Sequence, residues 1–91
     1  FSVVAIDGPL SGQRFAVAHA TEIGRECPSI PLAFDSGVSR RHANLVPSSG
    51  GIDVQDLGST NGVFVNGQRV PQAFVPPGGT FKIGATTFRV E

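Results

Sequence analysis

The sequence contains no Met, Trp or Tyr, only one Cys, and no long apolar run. The single Cys27 cannot form an internal disulfide and has no partner at metal-ligand spacing, so we expect an ordinary, partly buried thiol in a reducing compartment. No apolar run approaches the roughly 20 residues of a membrane span, and no signal-peptide pattern opens the chain. These absences predict a cytoplasmic module that uses no metal or cofactor and does not contact a membrane.

The chain also lacks an excess of charge of either sign, because seven Lys and Arg residues are balanced by seven Asp and Glu residues. Nucleic-acid-binding proteins usually carry a basic excess that meets the phosphate backbone, so the balance argues against a nucleic-acid partner. Six of the seven cations are Arg, including the adjacent pair Arg40 and Arg41. Because Arg binds anions through a planar fork of donors, we expect any anion recognition to be local.

The chain is too short for more than one folded unit. Its 91 residues, of which 40% are hydrophobic, can build a single core but not a separate lid or cofactor domain. The sequence starts at Phe1 and has no Met, so we expect residues 1–91 to be one domain excised from a longer protein.

Short β-branched and aromatic runs recur along the chain, several of them with period-two alternation that would point every second side chain to the core, and no segment has a convincing helical pattern. Gly and Pro clusters separate these runs, with 12 Gly and 7 Pro in total, which is typical of an all-β sandwich. The seven Phe residues are spread along the chain, and we expect each strand to contribute one of them to a common core. The predicted strand runs are 1–6, 13–18, 42–46, 51–56, 63–65, 80–84 and 86–91.

Two Asn-Gly pairs occur five residues apart in the stretch DLGSTNGVFVNG, which spans 56–67. The second pair, Asn66 and Gly67, predicts a two-residue hairpin, since both residues tolerate the positive φ angles of a type I′ turn. The first pair ends a longer polar loop, 58–62, which has more residues than a turn requires. Loops of this kind often carry binding groups.

Two other loops have the same polar character. The segment 35–43 places a hydroxyl and two Arg residues just before a strand, and Gly24 with Arg25 ends another strand. Hydroxyls, an amide, loop N–H groups and Arg forks are the groups that bind a tetrahedral dianion such as a phosphate ester. The residue types alone leave open a sandwich with ordinary Ser- and Arg-bearing surface loops.

Four motifs in order resemble the forkhead-associated (FHA) domain, and together they cover nearly all of the chain. They are Gly24-Arg25, SRRH at 39–42, DLGSTNGVFVNG at 56–67 and GGTFKIGATTFRV at 78–90. The resemblance implies a β-sandwich of about eleven short, mainly antiparallel strands. It also implies a monomeric module whose end loops bind phosphothreonine peptides.

The resemblance assigns a role to five side chains in these loops. Arg25 would form an ion pair with the phosphate, and Ser39 would donate a hydroxyl hydrogen bond to it. Arg40 would add a further phosphate donor, and Thr60 would complete the phosphate site. Asn61 would bond the peptide main chain beside the phosphothreonine.

Three further residues would support the site without touching the peptide. By the same resemblance, His42 would tie the binding loops together from behind, while Gly24 and Gly62 would support the backbone of those loops. Some relatives carry a basic residue near Gly37 that selects an acidic peptide side chain, and this chain has none there. Arg41 could supply that charge, so selection at that peptide position stays open.

An enzymatic interpretation is weaker than a binding one. Ser39, His42 and Asp56 could be read as a hydrolase triad, but the sequence lacks the Gly-x-Ser-x-Gly nucleophile elbow. Cys27 with a His lacks the spacing of a metal site or nucleophile pair, and no phosphate-binding loop of the nucleotide hydrolases is present. We therefore expect no catalytic residue.

Two classes of binding function remain. The first is a phosphothreonine reader that connects its host protein to substrates of a Ser/Thr kinase, in trans or within its own chain. The second is a scaffold or assembly module with the same fold that binds a partner independently of phosphate. The presence of Arg25, Ser39, Thr60 and Asn61 favours the reader.

Overall fold

The computed structural model describes residues 1–91, which form eleven short strands and no helix. The strands are β1 (Ser2–Ala5), β2 (Arg14–Ala16), β3 (Thr21–Gly24), β4 (Ile30–Pro31), β5 (Ala43–Ser48), β6 (Gly51–Asp56), β7 (Val63–Val65), β8 (Gln68–Val70), β9 (Gln72–Val75), β10 (Thr80–Ile83) and β11 (Thr86–Val90). The prediction of an all-β fold with about eleven strands is confirmed. The chain has no helix with the length and apolar character needed to cross a membrane.

The strands form two sheets that pack face to face. The first sheet has six strands in the order β2-β1-β11-β10-β7-β8, and the second has five in the order β4-β3-β5-β6-β9. All neighbouring strands are antiparallel except β3 and β4, which pair in parallel. The fold is therefore a mainly antiparallel sandwich, as expected from the turn residues between short strands.

A cluster of 17 buried residues fills the space between the sheets, and most of them are Val, Ile or Leu. In β11 the residues alternate, so that Thr86, Phe88 and Val90 are buried while the two between them are only partly buried. Phe81 on β10 stacks on Phe88 with ring centroids 5.4 Å apart. This alternation is the period of two that the sequence showed.

The expectation that every Phe joins the core is wrong. Only Phe81 and Phe88 are fully buried, whereas Phe1, Phe34 and Phe74 are 43%, 46% and 52% exposed. Phe34 lies in a loop, and Phe74 lies on β9 at the edge of the second sheet, where alternate side chains point away from the core and the first sheet. Branched aliphatic side chains supply the volume that these rings do not.

The two-residue hairpin forms where the sequence predicted it. Asn66 and Gly67 have φ angles of 53° and 78°, and Val65 pairs with Gln68 across the turn. Asn66 is the only non-glycine residue with a positive φ angle. The strain is small because Asn tolerates this conformation better than most residues.

The two ends of the chain meet in the first sheet. Ser2 donates a backbone hydrogen bond of 2.9 Å to Glu91, and Glu91 returns one of 2.8 Å. These bonds extend the antiparallel pairing of β1 with β11. Residues 2 and 91 therefore lie side by side at the end of β11 that is farther from the β10–β11 turn.

The Thr86 hydroxyl provides a test of the core, because it is buried and has no hydrogen-bond partner. Thr86→Val replaces it with an isosteric apolar side chain, and we expect the free energy of unfolding to rise by about 1 kcal/mol. Urea denaturation measures the change. Thr87→Val on the partly exposed face is the control and should change stability by less than about 0.5 kcal/mol. A destabilised Thr86→Val protein would contradict this description of the core.

Candidate functional site

Three polar loops meet to form an open cleft of about 390 Å³. They are the β3–β4 loop (25–29), the β4–β5 loop (32–42) and the β6–β7 loop (57–62). The cleft is lined by Arg25, Ser36, Gly37, Val38, Ser39, Arg40, Thr60 and Asn61. The structure therefore brings together all five side chains that the sequence assigned to ligand binding.

Arg25 is the first residue of the β3–β4 loop, and its side chain lines the cleft. Its backbone N–H donates to the carbonyl of Ser39 at 3.0 Å, which fixes the start of its side chain beside the second loop. Its side-chain Nε is buried and has no hydrogen-bond partner within the chain. The side chain as a whole lines the cleft, so the guanidinium can form an ion pair with an anionic ligand there.

Gly24 allows the first two loops to approach each other. A Cβ atom at this position would clash with the carbonyl of Arg40 and would lie 2.9 Å from the amide nitrogen of His42. The backbone N–H of Glu26 also donates to the Arg40 carbonyl, at 3.2 Å. Any side chain at position 24 would therefore push Arg25 away from the loop that carries Ser39.

Ser39 and Thr60 connect the second and third loops. The Thr60 backbone N–H donates to Ser39 Oγ at 3.1 Å, which leaves the hydroxyl proton of Ser39 free to donate. Within the third loop, the Gly62 N–H donates to Ser59 Oγ at 2.9 Å. Asn61 Nδ2 donates to the Gly37 carbonyl at 2.8 Å, which is a second link between the two loops.

His42 lies behind the cleft and is fully buried. Its Nδ1 accepts the Ser39 backbone N–H at 3.1 Å, so the ring proton lies on Nε2. Nε2 then donates to the Gly62 carbonyl at 2.7 Å. The neutral imidazole thus joins the backbones of the Ser39 loop and the Gly62 loop.

Arg69 on β8 is a site residue that the sequence reasoning missed. Its guanidinium donates to the carbonyls of Ser59 and Thr60 at 3.4 and 3.3 Å. Gly62 has a φ angle of 86°, and a Cβ there would also clash with the Arg69 side chain. The predicted turn at Asn66 and Gly67 pairs Arg69 with Phe64, which is two residues beyond the end of the third loop. This pairing was the sequence signal that could have placed Arg69 near that loop.

The adjacent cations Arg40 and Arg41 point to different carboxylates. Arg40 lines the cleft, and its Nε lies 3.2 Å from Glu26, with both side chains exposed. Arg41 lies outside the cleft and donates from Nε and Nη2 to the carboxylate of Glu22. This hydrogen bonding lowers the pKa of the Glu22 carboxyl. Arg41 therefore does not supply the basic charge that is missing beside Gly37.

Ser39, His42 and Asp56 do not form a proton relay. Both ring nitrogens of His42 are hydrogen-bonded to backbone groups, and Asp56 Oδ1 accepts the Ser59 N–H at 2.9 Å. Cys27 is only 3% exposed, and burial raises the pKa of its thiol, so it is a poor nucleophile. No group of three or more His, Cys, Asp or Glu side chains is arranged to hold a metal ion.

Asp56 anchors the start of the third loop. Burial alone raises the pKa of its carboxyl, but the hydrogen bonds from Ser59 and the nearby positive charge of Arg69 outweigh burial. The pKa of Asp56 is therefore lowered from its ordinary value. The charged carboxylate is the form that the loop stabilises.

Comparisons with known proteins agree on one family. The sequence model of the FHA domain matches residues 21–84. The FHA domain-containing protein FhaB of Mycolicibacterium smegmatis is 36% identical over 91 residues, which are 98% of this chain and 59% of that protein. This chain therefore spans less than two thirds of the length of that relative.

Two solved structures have the same fold. EmbR of Mycobacterium tuberculosis, in complex with a low-affinity phosphopeptide, superposes with a TM-score of 0.84 at 30% identity, covering 99% of this chain and 24% of EmbR. A structure from a study of phosphothreonine-dependent FHA domain interactions superposes with a TM-score of 0.81 at 27% identity, covering 99% and 93% of the two chains.

The two histidines allow a matched test of the buried link. His42→Ala would leave the Ser39 N–H and the Gly62 carbonyl without partners, so we expect the free energy of unfolding to fall by about 2 to 4 kcal/mol. His19→Ala removes an exposed imidazole and should change it by less than about 0.5 kcal/mol. Urea denaturation measures both. Equal stability of the two variants would contradict the role given to His42.

The lowered pKa of Asp56 predicts an acid dependence of stability. Because the folded pKa lies below the unfolded one, the charged Asp56 stabilises the fold above about pH 4, and this contribution is lost as pH falls through the folded pKa. Asp56→Asn should therefore be less stable than wild type at pH 7 and should lose less stability on acidification. Denaturation at a series of pH values tests this, and identical acid dependence would contradict it.

Proposed function

The chain belongs to the FHA domain family, and we propose that it is a phosphothreonine-peptide recognition module for phosphorylation-dependent protein–protein interaction in Ser/Thr kinase signalling. The EmbR structure with a phosphopeptide and the phosphothreonine-dependent interactions of the second similar structure support this assignment. We also propose that residues 1–91 act as a single module of a longer host protein.

The observation that carries the proposal is the convergence of cation, hydroxyl and amide donors in one cleft. A phosphothreonine has close to two negative charges and three acceptor oxygens. Arg25 lines the cleft with its guanidinium side chain, Ser39 offers a free hydroxyl proton, and Arg40 and Thr60 stand beside them. Charge-assisted hydrogen bonds from such donors are stronger than those between neutral groups. We assign these four residues to the phosphate.

Asn61 is assigned to the peptide main chain beside the phosphothreonine. A side-chain amide both donates and accepts, so it can pair with the alternating N–H and C=O groups of an extended peptide. Gly24, His42 and Gly62 keep the loops in place behind it, through the close approaches and hydrogen bonds described above. Gly37 has no side chain and so contributes no charge of its own that could select an acidic peptide residue.

We propose that the module binds and does not catalyse, in the cytoplasm, with a phosphorylated partner supplied either by another protein or by its own host chain. The hydrogen bonds of His42 and the raised pKa of the Cys27 thiol support a binding site over a reactive one. The single buried thiol is consistent with a reducing compartment.

Removing one phosphate donor should weaken binding at least roughly tenfold, because each charge-assisted hydrogen bond contributes on the order of 1.5 to 3 kcal/mol. Arg25→Ala and Ser39→Ala are the test variants. Arg41→Ala is the matched control, since Arg41 pairs with Glu22 outside the cleft, and it should change affinity less than twofold. Isothermal titration calorimetry with phosphothreonine, phosphoserine and unmodified versions of the same peptide measures the affinities.

Amide NMR during the same titration locates the site. With the phosphothreonine peptide, the largest shifts should fall at Arg25, Ser39, Arg40, Thr60 and Asn61. Equal affinity for phosphorylated and unmodified peptides would contradict the proposal. That result would favour the phosphate-independent scaffold.

A further inference from the structure

Asp35 links the cleft to a distant turn of the first sheet. Its Oδ1 accepts the backbone N–H of Gly37 at 2.9 Å, and its Oδ2 accepts the backbone N–H of Ala85 at 2.8 Å. Ala85 lies in the β10–β11 turn, 50 residues further along the chain. One carboxylate therefore joins the loop that lines the cleft to a turn that does not line it.

Asp35 fixes the two peptide units on either side of Gly37. Its carboxylate holds the Gly37 N–H, and its backbone carbonyl accepts the Val38 N–H at 3.2 Å. The Val38 N–H belongs to the same planar peptide unit as the Gly37 carbonyl. That carbonyl is the acceptor of Asn61 Nδ2, at 2.8 Å. The orientation of the acceptor that holds Asn61 thus depends on Asp35.

The β10–β11 turn packs directly on this carboxylate. Gly84 has a φ angle of 58°, and a Cβ there would clash with Asp35 Oδ2 and approach Val38 Cγ2 at 2.6 Å. Because no side chain fits between the turn and Asp35, the carboxylate has little room to move. The turn is therefore a rigid support for the loop that carries Gly37.

We propose that Asp35 is a positioning residue for peptide recognition, which orients the Asn61 side-chain amide through the Gly37 carbonyl. The inference rests on the proposed function, in which Asn61 binds the peptide main chain. With Nδ2 held by Gly37, the amide plane is fixed and Oδ1 is kept as an acceptor. Such preorganisation removes ordering cost from binding. The β10–β11 turn thus controls affinity without touching the peptide.

The test is a double-mutant cycle between Asp35 and Asn61, measured by titration with a phosphothreonine peptide. Asp35→Asn keeps the shape but places an NH₂ group against a backbone N–H, so one of the two links must break. We expect affinity to fall about fivefold in the wild-type background and less than twofold in the Asn61→Ala background. Equal losses in both backgrounds would show a general structural effect and would overturn the proposal.

Two further variants sharpen the cycle. Gly84→Ala leaves the carboxylate chemically intact but displaces it, so it should reproduce the loss caused by Asp35→Asn. Asp53→Asn is the control, because Asp53 accepts only from Gln72 Nε2 on the second sheet, and it should change affinity less than twofold. A Gly84→Ala protein with wild-type affinity would contradict the support by the turn.

NMR of the ligand-free protein separates this inference from the proposed function. In Asp35→Asn at least one of the Gly37 and Ala85 amides should exchange faster with solvent, and the Asn61 side-chain NH₂ resonances should shift. If those resonances do not move, the inference fails, whatever the protein binds. If they move but wild type does not distinguish phosphorylated from unmodified peptide, Asp35 still holds Asn61 and the proposed function is wrong.

Discussion

The buried imidazole of His42 is the interaction on which the binding end of this domain depends. It joins the Ser39 N–H to the Gly62 carbonyl, and it comes from the residue that precedes the core strand β5. The loops on either side carry short polar side chains that could not bury enough apolar surface to order themselves. A neutral ring with one donor and one acceptor satisfies both backbone groups at once, so it connects loops to core without burying a charge.

Two cations of the cleft are incompletely paired within the chain. Arg25 Nε is buried without a partner, and Arg40 has only an exposed ion pair with Glu26, which contributes little to stability. An unpaired donor and an exposed ion pair are local costs of the kind expected at functional sites. Burial of the aliphatic core between the sheets offsets these local costs in the free energy of folding.

The features that the sequence predicted were local ones, such as the turn at Asn66, the alternation in β11 and the order of the loop motifs. Strand β4, with two residues, and β9, which lies between Pro71 and Pro76, carry too little pattern to be recognised. Arg69 was missed because its side chain turns back to a loop about ten residues earlier. The Asp35 contact with Ala85 spans 50 residues, and no local pattern reports such a distance.

Because residues 2 and 91 are hydrogen-bonded to each other, any segment attached to either one starts from the same place on the domain. Both ends leave from one point, and β11 separates that point from the turn that supports the cleft by roughly 17 Å, at about 3.4 Å per residue. A segment attached at residue 91 would therefore need about five extended residues to reach that turn. The length of such a segment would set the effective concentration of a ligand that it carries. A segment too short to span the distance would leave only binding between separate molecules.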